Sequence, residues 1–359
     1  LKPEKEQLDF LIVGQGIAGT LLAHFLLKEN QRIAVIDKPL EGATSNIAAG
    51  IVNPITGRRL VKSWRFEELY PFAKQTYLEL ESLLGISIWH ERNIVRALPT
   101  VFDENEWLRR SAFADYKPFV IATTDAAPYP GALHPMRAWG ESRFSVQVAM
   151  PQLVSSYREY LIREGMLTEG VFDYSELKIK NNAVIYGGLQ ARLVVFCEGS
   201  RATQNLFFNH LPFALTKGEL LLIKIPGVKF EKMIKHRLFI VPLEGDIYWV
   251  GSTSRYEFEH RQPQKEKRQW LESQLKELLK VPFEVVEHLA GIRPTVFQHR
   301  PFLGAHPVHP EVTILNGLGT KGASIGPFFA RQMAGFLMGK NVLDQEVDIC
   351  RFQKNVPET

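Results

Sequence analysis

The segment Asp9-Phe10-Leu11-Ile12-Val13-Gly14-Gln15-Gly16-Ile17-Ala18-Gly19 decides how this chain folds. Phe10 to Val13 is a short apolar run ended by glycine, the profile of a strand buried on both faces. Thr20 to Lys28 continues as a helix that is apolar around most of its circumference, and Arg32 to Ile36 is a second apolar run ending in Asp37. Together they read as a βαβ unit of about 30 residues. Gly14, Gly16 and Gly19 fit G-x-G-x-x-G at the strand-to-helix turn. Gly14 makes the turn, Gly16 lets the backbone approach a pyrophosphate, and Gly19 lets the helix pack on the strand. Ile17 and Ala18 lie within this turn as candidate cofactor contacts, before a helix whose free N–H groups and dipole favour phosphate. Asp37, with Lys38 beside it, is placed to accept hydrogen bonds from both hydroxyls of an adenosine ribose, which disfavours NADP. This motif alone does not separate FAD from NAD.

The far end of the chain separates them. Thr313 to Leu315 reads as a strand, Pro327 to Met338 as a helix, and Gly317-Leu318-Gly319-Thr320-Lys321-Gly322-Ala323-Ser324 lies between. A nicotinamide has no evident use for a second glycine turn opening a helix. A flavin does, because its N1–C2=O2 edge gains negative charge on reduction and a helix N-terminus stabilises that charge. Gly317, Gly319, Thr320, Lys321, Gly322 and Ala323 are therefore candidate cofactor contacts. Lys321 is also a candidate catalytic residue at the N1/O2 edge; the alternative is a lysine pointing to solvent.

Between these ends, Glu67–Leu84, Gln152–Glu164 and Lys265–Leu279 read as helices. Gly170–Ile179, Ala183–Tyr186 and Leu193–Phe196 read as strands, and Leu220–Ile225, Leu238–Val241 and Tyr248–Gly251 as an antiparallel sheet. The expected class is α/β: a Rossmann-like cofactor domain with a parallel sheet, interleaved with an α+β substrate domain whose sheet is mostly antiparallel. The expected division is 1–85, 145–212 and 290–350 for the first, 86–144 and 213–289 for the second, and 351–359 as a tail.

The chain has 359 residues, 45% of them hydrophobic and 23% charged, a composition that excludes disorder as the main state. A net charge of +4 is spread along the chain, so nucleic acid is not an expected partner. Cys197 and Cys350 are the only cysteines, and no zinc or iron–sulfur spacing occurs. The first apolar stretch is broken by Asp9, Gln15, His24 and glycines, so neither a signal peptide nor a membrane span is expected. A cytoplasmic protein is the expectation, with an oligomer open.

Taken in order, these pieces resemble the D-amino-acid oxidase superfamily of FAD-dependent oxidoreductases, the group that includes glycine and sarcosine oxidases. Asp9 to Asp37 looks like its N-terminal FAD motif. Gly42 to Gly50 resembles the segment that wraps the pyrophosphate and passes the isoalloxazine, which implies contacts from Thr44, Ser45, Ala48, Ala49, Gly50 and the following Ile51. Leu193 to Gly199 resembles a strand whose end touches FAD, implying Glu198 and Gly199; Leu177 is a further expected contact. Gly291-Ile292-Arg293-Pro294, Pro301 to Gly304 and Asn316 to Gly322 resemble the C-terminal signature.

The resemblance implies that Arg293 binds the substrate carboxylate and lies against the flavin. A guanidinium fork suits that task, whereas a structural role would pair it with an internal carboxylate. Sarcosine oxidases attach FAD to a cysteine upstream of the signature; none lies between Cys197 and Cys350, so the flavin is expected to be non-covalent. Asn53-Pro54-Ile55-Thr56-Gly57-Arg58-Arg59 is not a common feature of the amino-acid oxidases. It is expected near the flavin or the mouth of the site, where the arginines are candidates for an acidic substrate or the pyrophosphate, or are simply solvated.

The implied activity is oxidation of the C–N bond of a small amino or imino acid by hydride transfer from Cα to flavin N5, with oxygen or another acceptor reoxidising the flavin. The rivals are a 2-hydroxy-acid oxidoreductase, a tRNA-modifying flavin domain of the same superfamily, and a non-enzymatic flavin protein. His24, Trp64 and Tyr70 are expected to pack the fold, His306 and His309 to lie in a loop without metal, and His90 and Arg92 to be outside candidates for the pocket.

Overall fold

A computed structural model of the chain describes residues 7–125 and 128–355. The opening strand, Leu8–Val13, lies between Ile33–Asp37 and Leu189–Phe196 and is parallel to both. Leu167–Glu169 extends the parallel sheet on one side and Val312–Asn316 on the other, where Val194 faces Val312. Antiparallel additions finish the edges: Phe302–Ala305 beside Val312–Asn316, and Lys178–Lys180 with Ala183–Tyr186. Side chains alternate along each strand, and both faces are covered. Phe10, Ile12 and Val195 face the helices; Leu11, Val13, Val194 and Phe196 face a second apolar layer with Phe172 and Phe208.

Four helices cover the first face: Ile17–Lys28, Phe66–Leu84, Met150–Arg163 and Gly322–Leu337. The last begins at Gly322, not at Pro327 as expected, and Pro327 sits inside it. Proline cannot donate to the carbonyl four residues back, Ala323. The buried Tyr77 hydroxyl donates to that carbonyl instead, at 2.9 Å, so the helix runs through and is tied to Phe66–Leu84. The expected strand at Gly170–Ile179 is also corrected. The strand ends at Glu169, Tyr174–Glu176 is a short 3₁₀ turn started by Asp173, and a separate strand begins at Lys178. Asp173 accepts from the Ser175 N–H, a local turn that competes with strand pairing.

The second sheet has the order Glu284–Arg293, Thr216–Lys224, Ile247–Gly251, Phe239–Pro242, Met233–Lys235, Ile94–Leu98, Ala138–Ser142, Val120–Asp125. All its pairs are antiparallel except Met233–Lys235 with Ile94–Leu98. Helix Lys265–Leu278 covers one face through Leu271 and Leu275, against Leu221, Ile223, Tyr248 and Val250. The opposite face turns toward the first sheet's loops. Strands of the two sheets interleave along the chain. Trp89–Glu91 joins neither: it pairs with Val146–Val148, which pairs with Ile51–Val52. Glu284–Arg293 is one strand across residue 290, so Arg293 rides on the second sheet. Phe352 packs 5.5 Å from Phe302, and Arg351 donates to the Pro301 carbonyl. Residues 1–6 and 356–359 lie outside the described residues. Among the described residues no helix is long and apolar enough to cross a membrane.

Candidate active site

A cleft runs from the first glycine turn to the second sheet, as two adjoining cavities of about 750 and 1100 Å³. Ile17, Thr44, Ser45, Gly319 and Gly322 line both. At the inner end Gly14 has φ +99°, and a Cβ there would stand 2.6 Å from the Cys197 carbonyl oxygen. A Cβ on Gly19 would stand 1.9 Å from the Gly14 carbonyl oxygen, so Gly19 serves the helix–strand contact and does not line the cleft. Gly16 borders the cleft, and a side chain there would meet only Ser45, whose hydroxyl accepts from the Ile17 N–H at 3.0 Å. A helix start beside a bare Gly16 could hold a phosphate-bearing group.

Asp37 lines the same end, with Lys38 and Ala18. Its carboxylate accepts from the Gln15 N–H at 3.0 Å and from Arg158 at 2.7 Å. Arg158, on Met150–Arg163, also reaches Glu169. Glu198 and Gly199 line this end too. Burial pushes the Glu198 carboxyl up, against the pull of hydrogen bonds from Tyr174 (2.6 Å) and Asn205 (2.8 Å). Asn316 bridges two strand ends: its side chain donates to the Gly199 carbonyl and accepts from the Gly317 N–H. Gly317 thus shapes the turn, with φ +77°, and does not line either cavity.

The outer cavity takes Ala48, Ala49, Gly50, Ile51, Thr320, Lys321 and Ala323. Trp249, on the second sheet, donates its indole N–H to the Ile47 carbonyl at 2.8 Å and so holds this loop. The Lys321 side chain turns inward, where its ammonium donates to Asn53 Oδ1 at 3.2 Å and approaches the Ser63 hydroxyl at 3.5 Å. Burial pushes its pKa down to about 8. Asn53 and Thr56 to Arg58 also line this cavity, whereas Arg59 is exposed and does not.

Arg293 reaches the cleft wall from the end of its strand. Nη2 donates to Ser252 Oγ at 2.6 Å and Nη1 to the Thr253 carbonyl at 3.4 Å. No carboxylate among the described residues lies within 4 Å of it, so the internal ion pair does not form. Burial pulls its pKa down. Room for the guanidinium comes from Gly218 on the neighbouring strand.

Leu177 lines neither cavity. The 3₁₀ turn before it carries the chain away, and Leu177 packs on the second apolar layer while Gly170 and Phe172 face the cleft. His90 and Arg92 also lie outside both cavities. Trp64 stacks on Phe329, and Tyr70 packs on Phe66 and Trp89. His24 is buried, and His306 stacks on His309. Sequence reasoning missed Arg158, Gly218 and Ser252, which reach the site through contacts too remote in the chain for any local pattern to mark them.

Full-length similarities point the same way. Glycine oxidase of Bacillus licheniformis is 23% identical over 367 residues, covering 98% of both chains. The structure of glycine oxidase from Geobacillus kaustophilus matches with a TM-score of 0.78 at 20% identity, over 96% of this chain and 98% of that one. Iminodiacetate oxidase from Chelativorans sp. BNC1 matches at 0.73 and 23%, over 96% and 98%. At these identities the structural likeness carries the fold alone. The sequence pattern of the family described as DAO, FAD dependent oxidoreductase, matches residues 9–335, and this chain belongs to that family.

Proposed function

We propose that the protein oxidises the C–N bond of an amino or imino acid whose carboxylate is held by Arg293. The observation that carries this reading is a half-buried guanidinium on the cleft wall that has neutral hydrogen-bond partners and no carboxylate beside it. A fixed fork of that kind takes a carboxylate through two parallel hydrogen bonds, and burial strengthens them. Non-covalent FAD would lie along Gly14, Gly16, Asp37 and Ser45 and then between the Ala48–Ile51 loop and the Gly319–Ala323 turn, which border one continuous cleft. When bound it supplies a two-electron acceptor for the substrate's α-hydride. The chain's part is to orient the substrate, exclude water and hold the Lys321 charge beside the turn. Orientation alone accounts for a large share of such a barrier, and a neutral bound amine needs no strong base.

The deciding experiment is anaerobic mixing of the yellow holoprotein with amino acids, N-methyl amino acids and 2-hydroxy acids. Bleaching by the amines supports the reading. Bleaching by hydroxy acids alone transfers it to the 2-hydroxy-acid class, and no bleaching by any carboxylate removes it. Oxygen as acceptor, a cytoplasmic location and any oligomer belong to the same reading; peroxide assay, fractionation and light scattering test them.

A further inference from the structure

The outer cavity is long, and its far wall carries charge that the amino-acid chemistry does not use. One row of residues crosses the second sheet: Arg96 faces Lys235, Lys235 faces Phe239, Phe239 faces Gly251, and Gly251 faces Leu220. All five line the cavity. Leu220 lies two residues from Gly218, against which Arg293 rests. From that strand to the strand of Lys235 is three strand spacings, about 14 Å. Arg293 and the Lys235–Arg96 pair therefore stand at opposite ends of the stretch of this sheet that walls the cavity.

The far end holds three cations. Arg96 donates to the Gly57 carbonyl at 2.7 Å, which brings the Asn53–Arg59 segment and its Arg58 to the same wall. The Lys235 ammonium donates to the Arg237 carbonyl at 3.1 Å and lies 4.3 Å from the Phe239 ring centre. No carboxylate among the described residues lies within 4 Å of Arg58, Arg96 or Lys235. Two of the three acids on this rim pair with other arginines, Glu106 with Arg109 and Arg110 and Glu277 with Arg237; Asp103 caps a helix with Thr100 and acts on Arg96 through space, beyond ion-pair distance. Burial, then Arg96 and Arg58, pulls the Lys235 pKa down to about 8. Three cations gathered at one wall repel one another, and an anionic ligand relieves that repulsion.

We infer that the substrate carries a second anionic group, a carboxylate or a phosphate, which Arg58, Arg96 and Lys235 bind at the end of the cavity opposite Arg293. The inference rests on Arg293 as the clamp for the first carboxylate. It narrows the substrate class to a two-ended anion with the reacting C–N bond nearer Arg293.

Calorimetry on the holoprotein tests it without turnover, using straight-chain α,ω-dicarboxylic acids, their monocarboxylic counterparts and ω-phosphonocarboxylic acids of increasing length. The expected result is at least ten-fold tighter binding of the two-ended anion at its best length, with most of that preference lost in Lys235→Met and reduced in Arg58→Ala. A stronger preference for the phosphonates assigns phosphate, and for the dicarboxylates assigns carboxylate. Equal binding of mono- and dianions at every length overturns the inference, as does a preference that survives both substitutions. A preference without bleaching by any amino acid would leave the second-anion site standing and sink the proposed reaction. Bleaching with no preference would do the reverse.

Discussion

Gly218 and Arg293 share one space: a Cβ added to Gly218 would stand 1.9 Å from Nη2 and 2.3 Å from Cζ of the guanidinium. The obstructed atoms are the far end of a flexible side chain, so the arginine moves and the strand stays. Gly218→Ala is therefore expected to raise KM for a carboxylate substrate ten-fold or more while FAD content holds. Steady-state kinetics with flavin absorbance reads both, and an unchanged KM would show that the arginine's placement is irrelevant to binding.

Arg293→Ala removes the fork itself. A hydrogen bond to a charged group is worth about 1.5–3 kcal/mol and a bidentate pair more, so kcat/KM should fall roughly 10- to 1000-fold. Arg293→Lys should recover only part, because a point charge lacks the fork. Loss of FAD with normal turnover by the remaining holoprotein would make the residue structural.

Gly16 and Gly19 are one helical turn apart and should fail differently. Gly16→Leu fills the space beside the helix start, so the protein should fold, melt like the FAD-free parent and elute colourless. Gly19→Ala drives a methyl into backbone, the Gly14 carbonyl, and overpacking of that kind costs about 1–3 kcal/mol or more. Circular dichroism melts beside flavin absorbance distinguish the two; a fully yellow Gly16→Leu protein would overturn the assignment of this end.

Lys321→Met removes the half-buried charge at the Gly319–Ala323 turn. FAD retention should persist, since the Gly16 helix start is at the other end. Flavin reduction by substrate should slow roughly 10- to 100-fold, the equivalent of about 1.5–3 kcal/mol. The parent's advantage should fade as pH rises through about 8, where the ammonium loses its proton. Stopped-flow reduction across pH reads this, and a constant ratio between the two proteins would argue against the charge.

His24 predicts acid sensitivity. Burial pulls its pKa from 6.5 to about 4, ahead of opposing effects from Glu79. The unfolded chain therefore takes up the proton first, and stability falls as pH drops from 6.5 toward 4, by roughly 3 kcal/mol over that interval. In His24→Phe that component is absent, so its urea unfolding should lose less stability than the parent between neutral pH and about pH 4. Identical losses in both would mean the imidazole titrates normally.

The elements legible in the sequence were those whose signal is local. Phe10 to Gly19 and Thr313 to Gly322 each hold a strand and the glycine turn that follows it within a few residues. Where a local reading failed, another interaction prevailed. Asp173 made a turn where Gly170–Ile179 read as a strand, and carried Leu177 away. Tyr77 supplied the hydrogen bond that Pro327 denies to Ala323, and so moved a helix start.

The sequence by itself determined the βαβ opening, the glycines of its turn, the acid that ends its second strand and the presence of Arg293, because chain sterics and hydrophobic periodicity act over neighbours. Tertiary structure alone decided what those residues face. Arg158 meets Asp37 across 121 residues, Gly218 clears space for Arg293, and Lys235 stands beside Arg96 through one parallel strand pair. Such contacts depend on strand register, which is set by the burial of whole sheets. No short window of sequence contains that information.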